Sequence, residues 1–329
     1  MNAPVLSVKD LVIEFPTRHG RLTAVDHVSF DLTAGEVLGV VGESGAGKSL
    51  TGSAIIGLLD PPGRIAGGEV WLKGERIDNL PDEDLRAIRG RRIGMVFQDP
   101  LTSLNPLYTI AEQLIETIRT HLRLSEKEAR DRAIGLLDDV GIPAAARRVD
   151  DYPHQFSGGM RQRVVIALAL AAEPELVIAD EPTTALDVSV QAQIIDVLKE
   201  QCVQRGASII LITHDMGVIA ETADRVAVMY SGRIAEIGAT RDIIKDAKHP
   251  YTQGLMGSIP SLTHGEDRLR QIPGAMPRLA DIPAGCAFHP RCEQSFERCS
   301  LQRPDLFDLK NHNVACWLFD PEHKSEAAE

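Results

Sequence analysis

Eight residues, GESGAGKS from Gly42 to Ser49, limit the chain more than any other feature. The pattern G-x-x-x-x-G-K-[ST] cradles phosphate only where a strand ends and a helix begins. Here the apolar run EVLGVV precedes it and an apolar helical segment follows. Glycines let backbone N–H groups turn toward an anion, and the following helix adds the partial positive charge of its N-terminus. Gly42, Glu43, Ser44, Gly45, Ala46, Gly47, Lys48, Ser49 and Leu50 are therefore the expected nucleotide-phosphate residues, with Lys48 reaching the β and γ phosphates and Ser49 ligating Mg²⁺. A glycine turn used only for packing would explain the glycines but not the Lys-Ser ending.

The apolar pattern predicts an α/β fold around that loop. Residues 5–15 and 22–32 alternate apolar and polar side chains, the two-residue period of half-buried antiparallel strands. EVLGVVG at 36–42, PELVIAD at 174–180 and SIILITHD at 208–215 are instead continuous apolar runs, which suit parallel strands buried on both faces. Residues 100–156 break the alternation with a mostly helical insert. Within it 125–142 reads as a helix opened by the Ser125/Glu128 capping box and stopped at Gly141. After about residue 245 proline and glycine recur without period, which predicts a small separate module. The expected division is residues 1–255 for the nucleotide-binding domain, with a helical subdomain at about 100–165, and 256–329 for the cysteine-containing module.

Composition removes several function classes. Aromatic residues make up only 4% of the 329 and the formal net charge is −12, which argues against stacking on single strands and against a phosphate backbone as partner. The longest apolar stretch, Val164 to Ala172, is far short of the roughly 18 to 20 residues that cross a bilayer core. The N-terminal residues show no secretory pattern, so the cytosol is the expected compartment, and contact with a membrane then requires a protein partner.

LVIADEP at 176–182 supplies acidic chemistry: Asp180 leaving a buried strand gives a carboxylate for Mg²⁺, and Glu181 one for the attacking water. The stretch FSGGMRQRVVIALALAAEPELVIADEPTTALD at 156–187 narrows the class, because Ser157 fits a helix cap but a cap alone does not require both glycines after it. This stretch resembles the ABC ATPase family, with Ser157, Gly158, Gly159 and Met160 at the signature motif and Met160 departing from the usual glutamine. The resemblance implies a P-loop ABC ATPase fold with a parallel core sheet, an antiparallel β subdomain and a helical subdomain. It further implies head-to-tail dimers in which each signature presses on the γ-phosphate held by the other P-loop. By the same resemblance Phe15 stacks on adenine, Gln98 contacts Mg²⁺ and water, Asp187 couples the two sites, His214 holds the γ-phosphate and Glu181 polarises water.

QDPLTSLNPLYTI at 98–110, HQFSGGMRQR at 154–163, DEPTTALDVSVQAQI at 180–194 and HPYTQGL at 249–255 resemble, more narrowly, the ATPase subunits of dipeptide and oligopeptide importers. That family implies peptide uptake, or carriage of a related solute such as nickel or glutathione. Its partners are a second ABC ATPase subunit, identical or a paralogous chain, two transmembrane permeases and an extracytoplasmic solute-binding protein. Such a chain sits peripherally on the cytoplasmic face of the inner membrane. Cys286, Cys292, Cys299 and Cys316 fall in the tail with five, six and sixteen residues between them, and four thiolates suit tetrahedral zinc or an iron-sulfur cluster. The resemblance favours [4Fe-4S]. Cys202, in a helical stretch, reads as a packing residue.

Competing classes are a non-transport ABC ATPase, a metabolic kinase and a redox protein merely regulated by ATP. The first usually carries two nucleotide domains or a long coiled coil, and this chain has one P-loop and a short insert. SGG ahead of DEP speaks against the second. A chromophore that changes with reductant would mark the third.

Overall fold

The computed structural model describes residues 3–18, 20–183, 187–258, 271–310 and 312–321. They form two compact units, each discontinuous in sequence. One contains Asp31–Val37 and Trp71–Ile212 with the residues up to Leu6; the other contains Ser7–Phe30, Leu38–Val70 and the residues from Thr213 onward.

In the first unit the strand Leu176–Asp180 runs parallel to Ile93–Val96 on one side and to Ser208–Thr213 on the other. Leu176, Val177, Ile178 and Ala179 are fully buried, the consequence of an apolar run with no polar alternation. Close approach explains Gly94: a Cβ there would stand 2.2 Å from the Ala169 carbonyl oxygen, so only glycine lets the strand meet the helix Gly158–Leu170. The helical insert is built from capped segments. Thr109 and Glu112 form a capping box on Ile110–His121, and Ser125 and Glu128 form one on Glu126–Asp139. Ile110, Leu114 and Ile118 of one helix and Ala129, Ala133, Leu136 and Leu137 of the next are buried where the two pack. The expected helix at 125–142 is thus present, and Gly141 follows it at φ 76.

In the second unit Leu6–Thr17 lies between Gly20–Leu32 and Arg64–Leu72 in one sheet. In another, Val37–Val41 pairs in parallel with Arg225–Tyr230, which pairs antiparallel with Arg233–Ala239. The C-terminal residues extend this sheet with two short strands, His312–Val314 and Phe307–Asp308. Glu236 is fully buried there, yet its two carboxylate oxygens accept from the amides of Lys248 and His249, and His312 Nε2 lies 3.1 Å from it. One acidic side chain thereby ties together a strand, the start of the helix Pro250–Gly257 and the tail. Nearby, the Arg298 guanidinium sits 3.6 Å from the Trp317 ring centroid and bonds the Asp320 carboxylate at 2.7 Å. Among the described residues no helix is long and apolar enough to cross a membrane.

Candidate nucleotide site

The strand Val37–Val41 delivers the chain into the glycine-rich loop, and the helix Lys48–Ile55 takes it out. Gly42 has φ 155, and a Cβ there would meet the Met229 carbonyl oxygen at 2.2 Å, so the loop can pass only as glycine. Gly47 stands at the N-cap of this helix in the left-handed region, and no side chain caps the helix there. Lys48 is 5% exposed, and its ammonium donates to the carbonyls of Gly42 at 2.8 Å and Glu43 at 3.1 Å. Ser44, Gly45 and Ser49 are exposed, Ala46 is buried and Leu50 is half-buried. The cradle is fully formed with its charge held in place by its own backbone.

Two residues of the same unit touch Glu43 without any hint from the motif. The Glu43 amide donates to the Tyr251 hydroxyl at 2.9 Å, and Arg291 Nη1 donates to the Glu43 carboxylate oxygens at 3.0 and 3.2 Å. HPYTQGL and HPRC carry these residues, and each could have signalled them only through their family phrasing. Phe15, half-buried, packs its ring edge toward Gly63, where a Cβ would lie 2.8 Å away. His214 is exposed in the turn between Ser208–Thr213 and the helix that Asp215 caps.

The first unit holds Gln98, Asp180, Glu181, Asp187 and residues 157–160. Asp180 ends its strand nearly buried, at 8% exposure. Glu181 follows at φ 44, an unfavourable conformation for a residue with a side chain, fixed by its amide donating to the Ile212 carbonyl at 2.9 Å. Gln98 Nε2 donates to Glu181 Oε2 at 3.0 Å, so two residues expected to act together do meet. Ser157 caps Gly158–Leu170 by accepting from the Met160 amide at 3.4 Å, and Ser157 and Gly158 stand exposed. Met160 turns its sulfur to Arg148, whose guanidinium lies 5.6 Å from the Phe156 ring centroid. Asp187 is the exposed N-cap residue of Val188–Arg205, and residues 184–186 before it lie outside the described residues.

Cys286, Cys292, Cys299 and Cys316 all line one small apolar cavity with His249, Phe288 and Trp317. Burial pushes the Cys286 thiol up to about 11 and the Cys316 thiol up to about 12, and raises that of Cys292. The four cysteines border one water-poor space, where burial disfavours the thiolate form. Among the described residues no group of three or more His, Cys, Asp or Glu side chains is already drawn together as a metal site. Cys202, by contrast, is fully buried alone in a helix, its thiol pushed up to about 12 by burial, as a packing residue would be.

Residues 25–184 match the family described as ABC transporter, and residues 235–299 match the oligopeptide/dipeptide transporter C-terminal region. The dipeptide transport ATP-binding protein DppD of Bacillus subtilis is 48% identical, with 96% of this chain and 95% of that protein covered. The oligopeptide transport ATP-binding protein OppD of Escherichia coli is 49% identical over 91% and 89% of the two chains. Among solved structures, an ATP-binding cassette in a dimeric post-hydrolysis state bound to ADP and Pi is 30% identical, with a TM-score of 0.65 over 72% of this chain and 99% of that one.

Proposed function

This chain belongs to the ATP-binding subunits of ABC transporters, a family that hydrolyses ATP, and we propose that it powers uptake of dipeptides or oligopeptides across the cytoplasmic membrane. The observation that carries this reading is near-half identity to peptide-transport ATP-binding proteins along almost the full length of both chains, C-terminal region included.

Hydrolysis follows from the residues described. Lys48 and the loop amides receive the β and γ phosphates, exchanging internal carbonyls for ligand oxygens. Ser49, Gln98 and Asp180 are the side chains that would hold Mg²⁺, which supplies charge neutralisation on the phosphates when bound. Glu181 orients and polarises the attacking water, and its strained backbone fixes where the carboxylate points. Ser157, Gly158, Gly159 and Met160 offer an exposed helix N-terminus to the γ-phosphate on a second ATPase subunit, whose signature returns the contact. His214 holds the γ-phosphate, Asp187 couples the two sites and Phe15 stacks on adenine. Phosphoryl transfer needs mainly positioning and charge, so pairing of two subunits completes each site.

Exposed apolar side chains give the membrane partners a surface to grip. Leu101 is 63% exposed, Leu107 80% and Tyr108 50%, all in the segment that follows Gln98. We assign this patch to the permeases, with the chain peripheral on the cytoplasmic face of the inner membrane, a paralogous second ATPase and an extracytoplasmic solute-binding protein. Residues 1–255 serve as the nucleotide-binding domain and 256–329 as the appended module. Cys286, Cys292, Cys299 and Cys316 would hold a structural [4Fe-4S] cluster, which supplies the cross-link that a loop-rich tail lacks.

Reconstitution in liposomes with neighbouring permeases and a binding protein tests the reading through peptide-stimulated ATP hydrolysis. Wild type responds to peptide while Lys48→Ala and Glu181→Gln do not. Stimulation by nickel or glutathione instead of peptide reassigns the solute, and failure of any permease to bind the chain removes the transport role.

A further inference from the structure

Glu43 stands at a loop position where the phosphate motif accepts any residue, yet every polar group it owns is engaged. Its carbonyl accepts from Lys48, its amide donates to Tyr251 and its carboxylate accepts from Arg291. Arg291 lies between His289 and Cys292 in the cysteine-bearing tail, 248 residues from its partner. It is itself fixed: Nε donates to the Pro273 carbonyl at 2.8 Å, Nη1 also to the Tyr230 hydroxyl at 3.3 Å, and its side chain is 7% exposed. The ring of Tyr230 packs edge-on against Tyr251 at 4.7 Å and against Phe288 at 5.3 Å, so the two groups that grip Glu43 share one aromatic cluster. The tail also brings Met276 to Gly45, where a Cβ would lie 3.2 Å from the methionine methyl.

From this geometry we propose that Arg291 is a positioning residue for ATP binding: acting through Glu43, the tail holds the phosphate loop in its binding shape before nucleotide arrives. The inference rests on the reading of Gly42 to Ser49 as the ATP site. A loop of three positive-φ glycines, at 42, 45 and 47, has wide conformational freedom of its own. Freezing that freedom at the moment of binding would weaken affinity, whereas a brace supplied in advance removes the cost. The bond is charge-assisted, and Arg291 is nearly buried with Glu43 partly so, which makes it stronger than a surface pair.

The test is a double-mutant cycle on Mg-ATP affinity, measured by titration calorimetry on the full-length chain, with Lys48→Ala as the control for the site itself. Arg291→Gln and Glu43→Gln each weaken binding roughly tenfold, and the double variant is no weaker than either alone, because both remove the same brace. Thermal unfolding without nucleotide is read alongside, since a purely structural role would lower that midpoint while leaving the affinity of the folded fraction unchanged. Single variants that bind as wild type does, or losses that multiply in the double variant, overturn the inference. Should Arg291→Gln not fold, Glu43→Gln decides alone, with unchanged affinity overturning it. Wild type that binds no Mg-ATP would sink the nucleotide-site reading and this inference with it; wild type that binds while Lys48→Ala does not, with both glutamine variants unaffected, sinks only the inference.

Discussion

Two glycine-bearing loops in this chain each open a helix, and they are built in opposite ways. At Gly42–Lys48 the backbone passes through the left-handed region at Gly45 and Gly47, no side chain caps the helix, and the charged lysine is buried. At Ser157–Gly159 the backbone enters in an ordinary extended conformation, the serine caps its own helix, and Ser157 and Gly158 stand exposed. On the reading proposed above, the first holds phosphate within its own chain, and the second, already capped, offers its helix to a phosphate held by a second subunit. A site kept within one chain and a lent one need different chemistry from the same residue types.

Substitutions that separate holding from lending test this contrast. The largest effect belongs to Glu181→Gln, which leaves both loops intact and lowers turnover about 10²- to 10⁴-fold, the range of a lost general base. An ATP-dependent dimer then accumulates in light scattering after gel filtration, and full hydrolysis by this variant would remove Glu181 from its role. Adding Ser157→Arg to that variant returns the protein to monomer with its ATP affinity retained; loss of ATP binding by the monomer would mean that the loops are not independent. Lys48→Ala weakens Mg-ATP binding by about 100-fold, consistent with a charge-assisted contact of about 3 kcal/mol, whether or not the signature is intact. The glycines diverge as well. Gly42→Ala meets a backbone oxygen and costs about 3 kcal/mol in thermal or urea unfolding, whereas Gly159→Ala meets only a Val190 methyl at 2.9 Å and costs about 1 kcal/mol or less. Ser157→Ala costs about 1 kcal/mol from the lost cap, with turnover falling several-fold and monomer ATP affinity unchanged.

What the sequence makes legible follows from how local each cause is. The phosphate loop needs eight consecutive residues and a strand and helix on either side, so motif and flanking pattern suffice, and the strands and the capped helix after Ser125 are equally local. The meeting of Gln98 with Glu181 rests on two neighbouring parallel strands, and chain order in a resembling family anticipates it where periodicity does not. The tail is different. Its turns are three to five residues long and have no apolar period, and its organising contacts, Glu236 with two amides and Arg291 with Glu43, join residues with nothing local to pair them. Cysteine spacing marks four thiols of the tail as candidates for one site, and all four line one cavity; it carries no trace of the arginine between them reaching the phosphate loop.

The Lys48 ammonium is bonded to the carbonyls of Gly42 and Glu43. ATP therefore does not meet a bare charge; it competes for one already engaged, and the free energy of capture is a difference between two good sets of partners. On the reading proposed above, those two carbonyls are where the ammonium returns once the γ-phosphate is gone.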